Sequence, residues 1–254
     1  MKACARSGFP FWLGFVALVW LTHALGYLVH EYAHAFTAWA LGWKRNPLAL
    51  HYGALSFDNF ILLDDIDENV DYARIFAAGK GWAASLIAVA GVLIGNGLCY
   101  ILSRRLYATA RAKGCRMLAL FVFLLCLMCV GNFLSYVPVR TFTNHADMYT
   151  VERGLGISPW WVAIGLGVPF AVAIVHFLIR LLPDARGSLF PGDITGQAVL
   201  TALCCYAIFG FFGGAGMRRY GAISHWISFA LQLFLPIALV LLWPRRSAPA
   251  SFAA

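Results

Sequence analysis

The sequence predicts an all-α integral membrane protein of about six transmembrane helices, with a short strand-like segment after the first. Three observations lead there. Hydrophobic residues make up 61% of the 254-residue chain and charged residues only 12%, whereas a soluble domain carries about 25% charged residues. Mean hydropathy is +0.76. The apolar residues are also gathered into long runs, and about 20 apolar residues cross a bilayer core as a helix. Disorder is excluded, because it needs low hydrophobicity and high charge. The ten-residue alternation of a membrane barrel is absent, which leaves helices as the spanning structure.

The first run covers 9–42, interrupted only by Thr22, His23 and the cluster His30-Glu31-Tyr32-Ala33-His34. Lys2 and Arg6 before it give the start a look of a signal peptide. The apolar stretch is too long for an h-region and no small-residue cleavage site follows, so it reads as a span. The later runs cover 81–103, 117–139, 157–179, 194–217 and 221–243. The sizeable polar connection is 43–74. Its part 49–57 reads as a short strand pair turning at Gly53, and its part 63–70 as an acidic loop. Other connections are short, which implies one compact bundle. The tail after Pro244 is rich in small residues and reads as loose. Residues 1–150, with three spans, hold the chemistry-bearing motifs. Residues 151–254 add three transmembrane helices of unknown role.

The net charge of +8 is unevenly spread. Arg104, Arg105, Arg111, Lys113 and Arg116 lie between the second and third runs. Asp58, Asp64, Asp65, Asp67, Glu68 and Asp71 follow the first. Orientation depends on Lys and Arg, and 11 of these fall on the side of the N-terminus against 8 on the other, which favours the N-terminus inside. Such a balance suits contact with anionic lipid and requires no nucleic acid. The chain reads as a multi-pass integral membrane protein, of the cell membrane if it is bacterial. Five of the 7 cysteines lie within runs, where they act as small hydrophobes. Cys126-x-x-Cys129 has metal-ligand spacing, but its neighbours are Leu, Phe, Met and Val and no second pair follows, so packing is the better reading. No disulfide framework is implied.

His30-Glu31-Tyr32-Ala33-His34 is an H-E-x-x-H pattern. With 7 His and 3 Glu in the chain, chance supplies only about 0.002 such matches, and the pattern's weight is its helical spacing. Residues i and i+4 share one helix face, about 6 Å apart. Two imidazoles there can hold one zinc ion, with Glu31 beside them as general base. Ionisable groups inside a span are costly and face a partner or a wet cavity. The bland reading is an interfacial cluster capped by water and lipid headgroups.

Zinc in a catalytic site takes a third protein ligand. His23 lies two turns from His30 on the same face and reads as a supporting residue. His176 and His225 stand alone in apolar runs and read as packed or hydrogen-bonded. Where the third run turns polar, Pro138 breaks the helix ladder and lets polar backbone line a cavity. Asp147 is the natural carboxylate ligand there, and His145 is its rival.

On these residues the chain resembles the site-2 protease family of intramembrane zinc metalloproteases (peptidase family M50). His30, Glu31 and His34 match the first family motif. Asn132, Pro138 and Asp147 match the second loosely, with a longer Asn-to-Pro gap and Met148 where the family has Gly. Leu41-Gly42-Trp43-Lys44 is similar to the family's glycine turn after the motif helix. Gly79-Lys80-Gly81 is similar to its Gly-Pro turn, with Lys80 for Pro. The similarity covers roughly residues 10–150. It implies a zinc ion held by His30, His34 and Asp147, Glu31 as the catalytic base, and hydrolysis of peptide bonds in or near a transmembrane substrate. Residues 49–57 would hold that substrate extended by strand addition. Family members known for this chemistry place this helix end toward the cytosol, while the charge count puts His30 near the outer face, and orientation stays open. Two rivals stand beside the enzyme: a zinc-binding membrane scaffold without protease activity, and a transporter using His and Asp as an ion path. Oligomeric state is not readable.

Overall fold

The computed structural model describes residues 9–245. Six of its helices are long and apolar enough to cross a membrane: Pro10–Ala40, Gly81–Ala112, Arg116–Val139, Pro159–Leu189, Ile194–Ala215 and Gly221–Leu242. All-helical spans are what a lipid solvent demands, since every backbone N–H and C=O must then be satisfied within the segment.

The first span is one unbroken helix, α1 (Phe9–Ala40). Two short helices follow, α2 (Phe57–Leu62) and α3 (Tyr72–Ala77). The second span is α4 (Gly81–Ala90), a π-helical turn at Gly91–Leu98 and α5 (Cys99–Ala112). The third is α6 (Arg116–Leu134), closed by a wide turn at Ser135–Val139 that contains Pro138. Val137 has extended backbone there (φ −136°, ψ 115°), which ends the helix as the proline demands. A short helix, α7 (Ala146–Leu155), precedes α8 (Pro159–His176) and α9 (Leu182–Leu189), which together make the fourth span. The fifth begins as α10 (Ile194–Cys205), and beyond the four-residue α11 (Gly216–Arg219) the sixth is α12 (Gly221–Leu242).

The third span is the centre of the bundle, with 78% of its apolar window buried, while the sixth, at 11%, is exposed on most sides. One continuous core joins Leu124, Leu127 and Phe133 of α6 to Phe170 and Phe177 of the fourth span and to Ile208 and Phe212 of the fifth. Cys126 and Cys129 are fully buried within that core as free thiols. Two spans outrun their apolar segments. The second continues to Ala112 and the fourth to Leu189. Polar contacts explain the extension: Tyr107 donates to Asp184 Oδ2 (2.8 Å), Arg111 pairs with the same carboxylate, and Arg186 donates to the Leu242 carbonyl.

The strand pair expected at 49–57 does not form. Among the described residues this connection contains a single antiparallel bridge, His51 to Asp67. The reason is local. Asn59 Nδ2 donates to both the Tyr52 and the Ala54 carbonyls (each 2.9 Å), and Asn59 Oδ1 accepts from the Asp65 N–H (3.3 Å). A side chain thus takes the bonds a partner strand would make. Ser56 then caps α2 by accepting from the Asn59 N–H, so the chain turns helical at Phe57. The connection folds back along α1. Leu50, Leu63 and Ile66 pack against Ala35, Trp20 Nε1 donates to the Phe60 carbonyl (3.0 Å), and His23 Nε2 lies 3.1 Å from that of Leu62.

Candidate metal centre

His30 and His34 project from one face of α1, ten and six residues before its end at Ala40, so the pair sits about 9–15 Å inside the helix. Both are buried, at 2% and 1% exposure. Their Nε2 atoms are 3.0 Å apart. Asp147 Oδ2 lies 3.2 Å from His30 Nε2 and 3.3 Å from His34 Nε2. His30, His34 and Asp147 are the group of metal-ligating side chains that converges among the described residues.

Three elements produce this convergence. The first is helical periodicity, which stacks His30 over His34. The second is close packing of the second span. A Cβ at Gly91 would sit 2.2 Å from His34 Nε2 and 2.5 Å from His30 Nε2, and one at Gly95 would sit 2.8 Å from His30 Cα. Glycine at both positions gives the imidazoles their space and lets the helix backbones meet, the usual use of small residues between membrane helices. The third is α7, which carries Asp147 in its first turn. That helix lies against α4, where Gly81 and Gly154 touch backbone to backbone and Ser85 Oγ donates to the Val151 carbonyl (3.1 Å). Ala146, with φ +69°, turns the chain into α7 immediately before Asp147.

The ring orientations are held as well. His34 Nδ1 donates to the Ile87 carbonyl at 2.6 Å, and His30 Nδ1 lies 2.8 Å from Asn96 Oδ1. Tyr136 stacks on His30 with centroids 4.5 Å apart, and the Arg140 guanidinium covers Tyr136 at 4.9 Å. Glu31, the neighbour of His30 in sequence, is 5% exposed. An apolar groove of about 1000 Å³ runs between the motif helix and the second span, lined by Val29, Ala33, Leu93 and Gly95 among others.

The donor chemistry fits a zinc ion. Among the described residues, two imidazole nitrogens and one carboxylate oxygen converge without a fourth ligand, a donor set of the kind that three-ligand zinc sites use. The rival ligand His145 is elsewhere: its ring stacks on Tyr220 (5.0 Å) and its Nδ1 contacts Thr143 Oγ1 (3.0 Å) and Asn144 Oδ1 (3.1 Å). His51 pairs with Asp67 at 3.2 Å. His176 Nδ1 meets Tyr100 Oη at 3.2 Å, and His225 Nδ1 meets the Met217 carbonyl at 3.4 Å, both as single hydrogen-bonded rings.

Sequence reasoning missed Gly91, Gly95, Asn96 and Tyr136. A signal was present for the first three, since Gly91-x-x-x-Gly95-Asn96 is a small-residue pair followed by a polar amide inside an apolar span. Tyr136 had none, being one aromatic among many. Comparison with protein-family models, with curated proteins and with solved structures finds no match to this chain.

Proposed function

We propose that the protein is an intramembrane zinc metalloprotease, hydrolysing peptide bonds in or near transmembrane segments of protein substrates. The observation that carries this reading is the meeting of His30 Nε2, His34 Nε2 and Asp147 Oδ2 within 3.3 Å, beside a buried Glu31. Buried charged groups pair with one another or hold a metal, and two imidazoles converging on one carboxylate supply the donors a metal takes.

A bound zinc ion supplies Lewis acidity, which acidifies water and polarises a carbonyl. The chain supplies the rest. His30, His34 and Asp147 hold the ion. Glu31 takes a proton from the attacking water, and the new C–O bond forms at the scissile carbonyl carbon. As the C–N bond breaks, Glu31 gives its proton to the leaving amine. Burial of these groups keeps bulk water away and strengthens each electrostatic contact. The presence of Glu31 favours an enzyme over a metal-holding scaffold, because a scaffold has no use for a base at that position.

The test is metal content of the purified, detergent-solubilised chain, paired with cleavage of a quenched-fluorescent single-span peptide in liposomes. Wild type and Glu31→Gln are expected to hold about one zinc, and His34→Ala and Asp147→Ala to lose it. Cleavage is expected in wild type and abolished in Glu31→Gln. Equal cleavage by Glu31→Gln and wild type would remove the assigned base. A wild type that holds zinc and cleaves nothing would favour the scaffold.

A further inference from the structure

We propose that Asn96 is a positioning residue for the metal centre, its side-chain carbonyl holding His30 in the ring form that turns a bare Nε2 toward the metal. The inference rests on the metal-binding reading above and goes on to name what sets the affinity.

Asn96 is fully buried in the π-helical turn Gly91–Leu98 of the second span. Turns of this kind inside helices occur often at functional sites. A buried amide must have both ends engaged, because a polar group left unpaired in an apolar setting is costly. Asn96 Nδ2 donates to the Gly26 carbonyl at 3.3 Å. A main-chain carbonyl can only accept, so this contact decides which end of the amide points where. The other end, Oδ1, lies 2.8 Å from His30 Nδ1. An amide oxygen also only accepts, so Nδ1 must carry the proton and donate. A neutral imidazole has one N–H. Nε2 is therefore left with its lone pair, and Nε2 is the atom facing His34 and Asp147.

Asn96 clips across one turn of α1, from Gly26 to His30. The clip depends on the close approach at Gly95, where an added Cβ would meet His30 Cα at 2.8 Å. The second imidazole is held in the same way, but by the Ile87 main chain, which no side-chain change removes. Asn96 is thus the adjustable member of the pair. Outer partners that orient a metal-binding imidazole also raise its basicity, and their loss typically costs on the order of 10- to 100-fold in affinity.

Zinc affinity of the full chain in detergent, measured by chelator competition, separates the possibilities. Asn96→Leu removes the acceptor. Asn96→Asp keeps an acceptor for His30 but has no N–H for Gly26. The expected result is a loss of roughly 10- to 100-fold for Leu and affinity within a few-fold of wild type for Asp. Equal loss in both variants would mean that Asn96 acts by tying α1 to the second span through Gly26, and would overturn the proposal. Wild-type affinity in Asn96→Leu would overturn it as well. Both of these leave the metal site standing. A wild type that binds no zinc would overturn the site and the proposal together. Should the variants not fold, ¹⁵N-histidine NMR of the metal-free wild type decides: a protonated Nδ1 with a bare Nε2 at His30 supports the proposal, and a protonated Nε2 overturns it.

Discussion

His30 Nε2 and Asp147 Oδ2 lie 3.2 Å apart although 117 positions separate the two residues. The contact is made by two different devices. A regular helix presents the histidine, and a short helix outside the spans carries the aspartate to it. Each device exposes the centre to a specific failure.

Of the two neighbouring candidates for third ligand, only Asp147 reaches the histidines, while His145 stacks on Tyr220. His145→Ala is therefore expected to keep the wild-type zinc content. Metal analysis of the purified variant checks this, and a loss of zinc would place His145 in the ligand set.

Gly91 is where the centre tolerates no side chain. A methyl there would meet His34 Nε2 at 2.2 Å and His30 Nε2 at 2.5 Å. Alanine is the better helix former by about 1 kcal/mol, so Gly91→Ala should keep its helicity by circular dichroism. It should nevertheless lose zinc, because the methyl occupies the space where the lone pairs converge. Retained zinc in a folded Gly91→Ala would contradict the packing described above.

The position of Asp147 depends on how α7 lies against α4. A Cβ at Gly154 would sit 2.2 Å from both the Gly81 carbonyl and Ser85 Oγ. Gly154→Leu must push the helices apart and is expected to weaken zinc binding by more than about tenfold, through displaced ligand geometry. Ser85→Ala removes one interhelical hydrogen bond and should cost only about 1 kcal/mol of stability. Chelator competition for the first and thermal unfolding for the second read these effects separately.

Glu152 gives the fold a pH dependence of its own. It is 6% exposed, Oε1 has no hydrogen-bond partner among the described residues, and burial raises its pKa from 4.5 to about 7. The folded chain holds a proton that the unfolded chain releases. This contribution to stability is fully present below pH 4.5 and is lost as pH rises to about 7. Glu152→Gln stays neutral, so it should melt above wild type at pH 8 and level with it at pH 4. Identical melting at pH 8 would show that the buried carboxylate carries no such penalty.

Much of this molecule was legible in the residues alone. Six apolar runs specify six helices because lipid offers backbone groups no other partner. His30, Glu31 and His34 could be grouped without a structure, since the spacing of one helix decides which of its side chains share a face. Asp147 could be named only as one of two candidates, because the turn at Ala146 and the Gly81–Gly154 contact decide which neighbour faces inward. The strand reading of 49–57 failed for a related reason. A turn at Gly53 suggested a strand pair, but Asn59, several residues downstream, takes the Tyr52 and Ala54 carbonyls with its side chain. Asn96, Gly91 and Tyr136 belong to the centre solely through contacts between spans. Local sequence determines hydrogen bonds that close within a few residues, and so determines helices and helix faces. Contacts between segments far apart in the chain depend on how whole helices pack, and only the tertiary structure decides them.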